Sequence, residues 1–290
     1  MIFPGGGIIE CSTNHDYYHE IDLITRIAQK MRIPVCFNAV GRVVDRRHMF
    51  GWGIMRRAVN RSCVKSMTCR DGVEWINRNL YGGRNFAAEL PCSAILAGQV
   101  YGVQRDPSSN TIGIGVIRGS AFEVYGDPIS QEQMLDMYER VVREILKQGY
   151  ACCLFSNGYI GDVQFGELLR ERLGPLEGVS YALEQASGEQ LVRTIASFKA
   201  MVTARLHSII AAYSLDIPVA AISWTAKVPD FMRMMGCPEY AVSQEALSAD
   251  ALLSALERAM REGYPKDVRR KWENEIGKKT AEMLSYIPGR

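Results

Sequence analysis

"VTARLHSIIAAYSLDIPVAAISWTAK", Val202 to Lys227, is the stretch whose reading decides the fold. The overlapping run KAMVTA has the composition of a buried strand. RLHSIIAAYSL then places Leu206, Ile209, Ile210 and Tyr213 at i, i+3, i+4 and i+7, one face of a helix. IPVAAIS, opened by Pro218, is a second short apolar run and predicts another buried strand. Packing explains this strand–helix–strand unit except for Arg205 and His207. The pattern puts both in the first turn of the helix, just past a strand end. A cation there opposes the helix dipole. The free N–H groups at the same end bind anions. The stretch therefore predicts an anionic ligand at this helix start.

The rest of the chain sets the frame. With 290 residues it suits one large domain or two ordinary ones. Hydrophobic residues at 47% and charged residues at 23% exclude a disordered chain. A net charge of +2 offers no global attraction for nucleic acid, and none is expected as a partner. No apolar run approaches the roughly 18–20 residues of a membrane span. MIFPGGGIIE lacks the basic and apolar regions of a signal peptide. A cytoplasmic protein is expected, with peripheral association at the inner face of the membrane left open. The eight cysteines contain no C-x-x-C pair, which argues against structural zinc and for buried free thiols. No metal and no cofactor are expected.

Strand-like and helix-like segments alternate along the chain, the pattern of parallel sheets flanked by helices. The polar run QRDPSSNT, Gln104 to Thr111, reads as a linker. The expected fold class is α/β, with two Rossmann-like domains and a cleft between them. Residues 1–106 form the N-terminal domain, and residues 110–290 the C-terminal one with a helical tail. In open α/β sheets, ligands bind outside the carboxyl ends of the strands. In the second domain those ends carry Arg118-Gly119-Ser120, then Ser156-Asn157-Gly158 with Asp162 four residues on. They also carry Thr203 with Arg205 and His207, and Ser223 with Trp224 and Lys227. Right-handed crossovers put all of these on one edge. Arg118, Arg205, His207 and Lys227 then suit a small, highly charged anion, because arginine presents a fork to phosphate and carboxylate. The histidine can move a proton near neutral pH.

TARLHSIIAAYSLDIPVAAISWTAKVPDFMRMMG resembles the signature of the polysaccharide pyruvyl transferase family, with R-x-H opening a small-residue helix, a Pro-led strand and a lysine. FPGGGIIE resembles its glycine triplet after a strand, SMTCRDGVEWINRNLYGG its S-x-R-D segment, and IGIGVIRG the strand opening its second domain. The resemblance covers most of the chain. It implies a glycosyltransferase-B-like fold. It also implies transfer of pyruvate from phosphoenolpyruvate onto two hydroxyls of a sugar, giving a ketal in cell-surface or exopolysaccharide biosynthesis. The partners it implies are phosphoenolpyruvate as co-substrate and a sugar, glycan or lipid-linked saccharide as acceptor. Arg118, Arg205 and Lys227 bind the donor on this reading, with Gly119, Ser156, Asn157 and Leu206 beside them, and His207 is the general acid/base. Gly5, Gly6, Gly7 and His15 fall on the acceptor side. Family members carry one or two βα units before the glycine triplet, which here begins at Gly5. A shortened first domain with an exposed sheet edge is therefore expected.

Other readings compete. A sugar-nucleotide glycosyltransferase of the same fold also wants cations at a helix start. A non-catalytic relative would bind donor without turnover. HDYYHE spaces His15 and His19 like a zincin pair, but has Asp16 where glutamate is needed and no third ligand. The arginines between Arg42 and Arg57, with Trp52, read as a solvated face or a patch for an anionic acceptor.

Overall fold

The computed structural model describes residues 1–10, 17–43, 50–124 and 129–287. The chain divides into two compact units: Met1–Ser93 with Arg270–Arg290, and Ala94–Arg269.

The first unit runs β1 (Ile2–Pro4), β2 (Ile9–Glu10), α1 (Tyr17–Lys30), β3 (Val35–Val40), β4 (Arg42–Val43), α2 (Phe50–Val59), β5 (Val64–Cys69), α3 (Val73–Asn79) and β6 (Ala87–Glu89). Its main sheet has the order β1-β3-β5-β6, all parallel, and β2 pairs with β4 in a small parallel ladder. β3 is buried at all but one position, as a parallel strand covered on both faces must be. β1 is the edge strand, and Ile2 on it is exposed.

The second unit contains α4 (Ala97–Tyr101), β7 (Thr111–Gly115), α5 (Gln131–Lys147), β8 (Ala151–Phe155), α6 (Ile160–Leu173), β9 (Val179–Ala182) and α7 (Gly188–Ala196). It continues with β10 (Ala200–Thr203), α8 (Leu206–Ser214), β11 (Val219–Ser223), α9 (Lys227–Met234), β12 (Ala241–Ser243), α10 (Ala249–Glu262) and the start of α11 (Lys266–Ser285). Its six strands are all parallel, in the order β9-β8-β7-β10-β11-β12. Numbered within the unit this is 3-2-1-4-5-6, the Rossmann order. The winding direction reverses between β7 and β10, so the ligand crevice of such a sheet opens at their carboxyl ends. Ile112, Ile114, Val202 and Ile222 of the sheet join Tyr138, Val141 and Val142 of α5 and Leu252 and Leu256 of α10 in one buried core. α5 begins with the cap expected at Ser130. Gln133 N donates to Ser130 Oγ at 3.1 Å, and Ser130 N to Gln133 Oε1 at 2.9 Å.

One glycine allows the reversal point to close. A Cβ on Gly115 would land on Thr203 Oγ1, and within 2.9 Å of the Phe155 ring. Gly115 is paired with Thr203 across β7 and β10, and the buried Tyr138 hydroxyl donates to its carbonyl at 3.3 Å.

The division of the chain differs from the one expected at Gln104–Thr111. That polar run is bound to the second unit. Arg105 Nη1 donates to Asp216 O at 2.8 Å, Asp106 N to Ala196 O at 2.9 Å, and Ser109 Oγ to Ser197 O at 2.6 Å. α4, just before it, donates from Gly98 N to Ser214 Oγ. The tail differs too. α11 is tied to the second unit through Arg269, which donates to the Tyr213 and Ser214 carbonyls, and from Arg270 it belongs to the first unit. Trp272, Ile276 and Met283 on it are buried. Polarity marked the segment as surface, but surface chain can still be hydrogen-bonded to one body.

Replacing Gly115 with alanine is expected to cost about 1–3 kcal/mol, the range for overpacking a filled core. The check is a fall in the urea midpoint at unchanged m-value.

Candidate functional site

Arg118 follows β7 after two buried residues, Val116 and Ile117, and Arg205 follows β10 after the buried Ala204. Because β7 and β10 are neighbours in register, the two arginines emerge side by side at the reversal point. Both meet Asp162, in the first turn of α6. Asp162 has no solvent exposure. Arg118 Nη1 lies 3.3 Å from Asp162 Oδ1, which the Arg118 backbone N–H also approaches at 3.4 Å. Arg205 Nε donates to Oδ2 at 2.7 Å, and its Nη2 lies 2.5 Å from the same oxygen. A carboxylate taken fully out of water is costly unless it is paired and hydrogen-bonded in this way.

Aromatic rings fix the two guanidiniums. The Tyr159 ring lies 4.5 Å from Arg118 and 5.4 Å from Arg205. The Trp224 ring lies 5.0 Å from Arg205, and its indole N–H donates to Ala204 O at 2.8 Å. Cation–π attraction in this half-buried setting holds each fork in place. The side chains of Arg118 and Arg205 keep 29% and 19% exposure, so both still reach solvent.

The structure refines several of the expected positions. Arg205 is the N-cap of α8, with extended backbone (φ −79°, ψ 116°), and the helix begins at Leu206. Only His207, exposed at the second helical position, occupies the first turn. The anion that Arg205 requires is in part internal, since Asp162 supplies it. Ser156 is buried, and its hydroxyl is committed to the loop: it donates to Leu183 O at 2.6 Å and accepts from Gly158 N at 2.9 Å. Asn157 accepts from Ser208 Oγ of α8, and its Nδ2 has no hydrogen-bond partner among the described residues. Gly119 is buried, and a Cβ on it would strike Ile129 O. Leu206 is half-buried, and the half-buried Lys227 opens α9 at the end of β11.

Gly5, Gly6 and Gly7 belong to the first unit, in the turn after β1. Gly5 and Gly6 have φ of +88° and +83°, which glycine adopts without strain, and Gly41 N donates to Gly6 O at 2.7 Å. His15 lies outside the described residues, as do Asp16, Arg46 and Arg47. In the same unit Arg42 stacks on Trp75 at 4.7 Å, and Trp75 meets Trp52 at 4.7 Å. That arginine and that tryptophan are thus part of a packed aromatic face.

The role of Asp162 could not be read from sequence. An aspartate in a first helical turn suits the dipole and looks ordinary; only its complete burial sets it apart. Tyr159 and Trp224 carry the same lesson.

Other chemistry is sparse. The described cysteines are all unpaired, and burial pushes the Cys152 and Cys237 thiols up to about 12. Thiols so protonated are poor nucleophiles. Among the described residues no cluster of three or more His, Cys, Asp or Glu is arranged for a metal, and no helix is long and apolar enough to cross a membrane.

A family model described as polysaccharide pyruvyl transferase matches residues 1–225. A search of curated proteins found no match. Among solved structures, a UDP-forming α,α-trehalose-phosphate synthase from Burkholderia vietnamiensis is similar at a TM-score of 0.50 and 13% identity, over 92% of this chain and 73% of that one. Anabaena Alr3699/HepE in complex with UDP and glucose gives a TM-score of 0.48 at 12% identity, over 93% and 76%. E. coli ADP-heptose heptosyltransferase II gives 0.43 at 14%, over 84% and 81%. At such identities the likeness to the synthase shows the fold alone: α/β with parallel sheets, glycosyltransferase-B-like.

Asp162→Asn is expected to lower stability by about 3 kcal/mol, the low end for breaking a buried pair, because both arginines keep some solvent contact. Thermal unfolding beside the wild type checks it; an unchanged midpoint would show that the carboxylate holds neither arginine.

Proposed function

The chain belongs to the polysaccharide pyruvyl transferase family, and from that premise we propose that it moves the pyruvyl group of phosphoenolpyruvate onto two hydroxyls of a sugar, forming a ketal. The observation that carries this reading is the pair of arginines at the sheet's reversal point, aimed by one fully buried carboxylate. Phosphoenolpyruvate places a phosphate and a carboxylate on three carbons. Arg118 and Arg205 offer two fixed forks for those groups. Lys227 adds a third cation at the start of α9, and the first N–H groups of α8 and the Asn157 amide, whose Nδ2 has no partner among the described residues, add neutral donors. Arg118 and Arg205 carry two positive charges against the one of Asp162, an excess that suits an anionic donor.

In this mechanism His207 is the proton-transfer group, exposed at the helix start where a donor would lie. The methylene carbon of the donor gains a proton, and the adjacent carbon becomes oxocarbenium-like. One sugar hydroxyl adds to that carbon and loses its proton. The C–O bond to phosphate breaks, inorganic phosphate leaves, and a second hydroxyl closes the ketal. Of the two hydroxyl protons released, one offsets the proton gained by the methylene and the other leaves with phosphate. Arg118 and Arg205 stabilise the charge that collects on the departing phosphate. Gly5, Gly6 and Gly7 belong to the acceptor side on this reading, the donor site being carried by the second unit, and the acceptor is a glycan or lipid-linked saccharide of cell-surface polysaccharide synthesis.

Calorimetric titration of phosphoenolpyruvate into the full chain tests the donor assignment. Binding to the parent, lost in Arg205→Ala, is the expected result. His207→Ala is expected to keep binding and to lose about 10²–10⁴-fold in phosphate release with an acceptor. Binding of a UDP-sugar with no response to phosphoenolpyruvate would overturn the reading in favour of sugar-nucleotide chemistry. Donor binding without phosphate release to any glycan would identify a non-catalytic relative.

A further inference from the structure

The first unit leaves apolar surface uncovered along one side of α1. Leu23, Ile27 and Met31 fall at i, i+4 and i+8, and they are 55%, 48% and 64% exposed. Met31 directly follows the helix, and its N–H still donates to Ile27 O at 2.9 Å, so it keeps the helical register. The other side of α1 is occupied. Arg61, just after α2, donates to Asp22 Oδ1 at 2.7 Å and to Thr25 Oγ1 at 2.8 Å. At 3.6 residues per turn, Ile27 and Met31 lie about half a turn round from Asp22. With α2 packed on one side of α1, the stripe looks out past β1, the edge strand of the sheet. Met1 and Ile2 extend it there. Met1 N donates to Pro34 O at 2.7 Å, close behind Met31 in the chain, and both residues are half-exposed.

Together these five side chains expose roughly 500 Å², near the upper end for the largest apolar patch on a monomer. Two copies facing each other would bury about 1,000 Å² from these residues alone, the threshold for a specific interface.

The stripe complements itself. A row at i±4 forms a ridge, and two such ridges interdigitate in the commonest helix packing. A two-fold axis sets one ridge against its own copy. Centred on Ile27, an antiparallel pair places Leu23 of each copy against Met31 of the other. Charge selects this direction. Glu20 lies in the first turn of α1 and Lys30 in its last, both exposed. Antiparallel helices lay each acidic start over the other copy's basic end and oppose the helix dipoles. A parallel pair would set like charge on like.

Other occupants match less well. β1 is three residues long and ends at Pro4, which has no N–H to donate, so a strand added at this edge finds little to bond. A membrane surface selects Lys and Arg beside the apolar face, whereas Glu20 falls on the same side of the helix as Ile27, seven residues before it.

We propose that α1 is a dimer interface, two copies of this chain packing antiparallel about a two-fold axis near Ile27.

Sedimentation velocity of the full chain over a concentration series tests this. The samples are the parent, Ile27→Glu, Met31→Glu, Glu20→Lys, Lys30→Glu and the double variant Glu20→Lys with Lys30→Glu. The parent is expected to dimerise with concentration. Ile27→Glu and Met31→Glu are expected to be monomers with the parent's circular dichroism, since both positions are on the surface. Each single charge exchange is expected to weaken the dimer several-fold, and the double exchange to restore it. Positions 20 and 30 are about 15 Å apart along one helix, so restoration reports a contact between copies. A parent that stays monomeric at its highest soluble concentration overturns the proposal, as does a dimer that survives both glutamate variants. Equal affinity in the parent and the three charge variants overturns the antiparallel arrangement. Flotation with phosphatidylglycerol vesicles is run alongside. A monomeric parent that floats with them, while Ile27→Glu does not, overturns the dimer in favour of a membrane surface.

Discussion

Asp162 carries no solvent exposure and holds two guanidiniums, and the geometry of the site follows from that. A carboxylate in this position is tolerable only if cations come to it, since the effective penalty for an unpaired buried ion is several kcal/mol. Arg118 and Arg205 therefore have little freedom to swing into solvent. Tyr159 and Trp224 close the remaining directions by stacking. What is left for a ligand is the outer edge of each fork, already oriented. Preorganisation of this kind matters for charge stabilisation, because no reorientation is required when charge develops.

That arrangement depends in turn on the pairing of β7 with β10. The sheet reverses its winding there, and the strands' carboxyl ends open a crevice that neighbouring crossover helices leave uncovered. Gly115 permits the close approach, and Tyr138 beneath it donates to its carbonyl. Two residues distant in sequence, Arg118 and Arg205, become neighbours through this one ladder. The same ladder sets Asp162 within reach of both, since α6 follows β8, the strand on the other side of β7.

Arg118 and Arg205 sit at the sheet's reversal point beside the start of α8, an arrangement of fixed cations and free helix N–H groups that suits a compact anion. Cys152 and Cys237 stand apart from this chemistry, kept protonated by burial.

Much of this was legible in the order of residues. The apolar periods of Val202 to Lys227 specify a strand, a helix and a strand, because burial imposes period and length on the chain locally. The cap at Ser130 was legible for the same reason, as was the convergence of Arg118 with Arg205, since parallel strands must end on one edge. Strands β9 and β12 were not anticipated, being edge strands of only four and three residues, too short to show a period. Nor was the division between units, because the polar run at Gln104–Thr111 is bound to one body by hydrogen bonds to residues some 90–110 positions away. The sequence by itself thus determined the fold class, the strand ends and the charged residues carried at them. The strand order, the burial of Asp162 and the joint hold of one carboxylate on Arg118 and Arg205 were decided by tertiary structure alone, because each arises from contacts between segments whose separation along the chain carries no local signature.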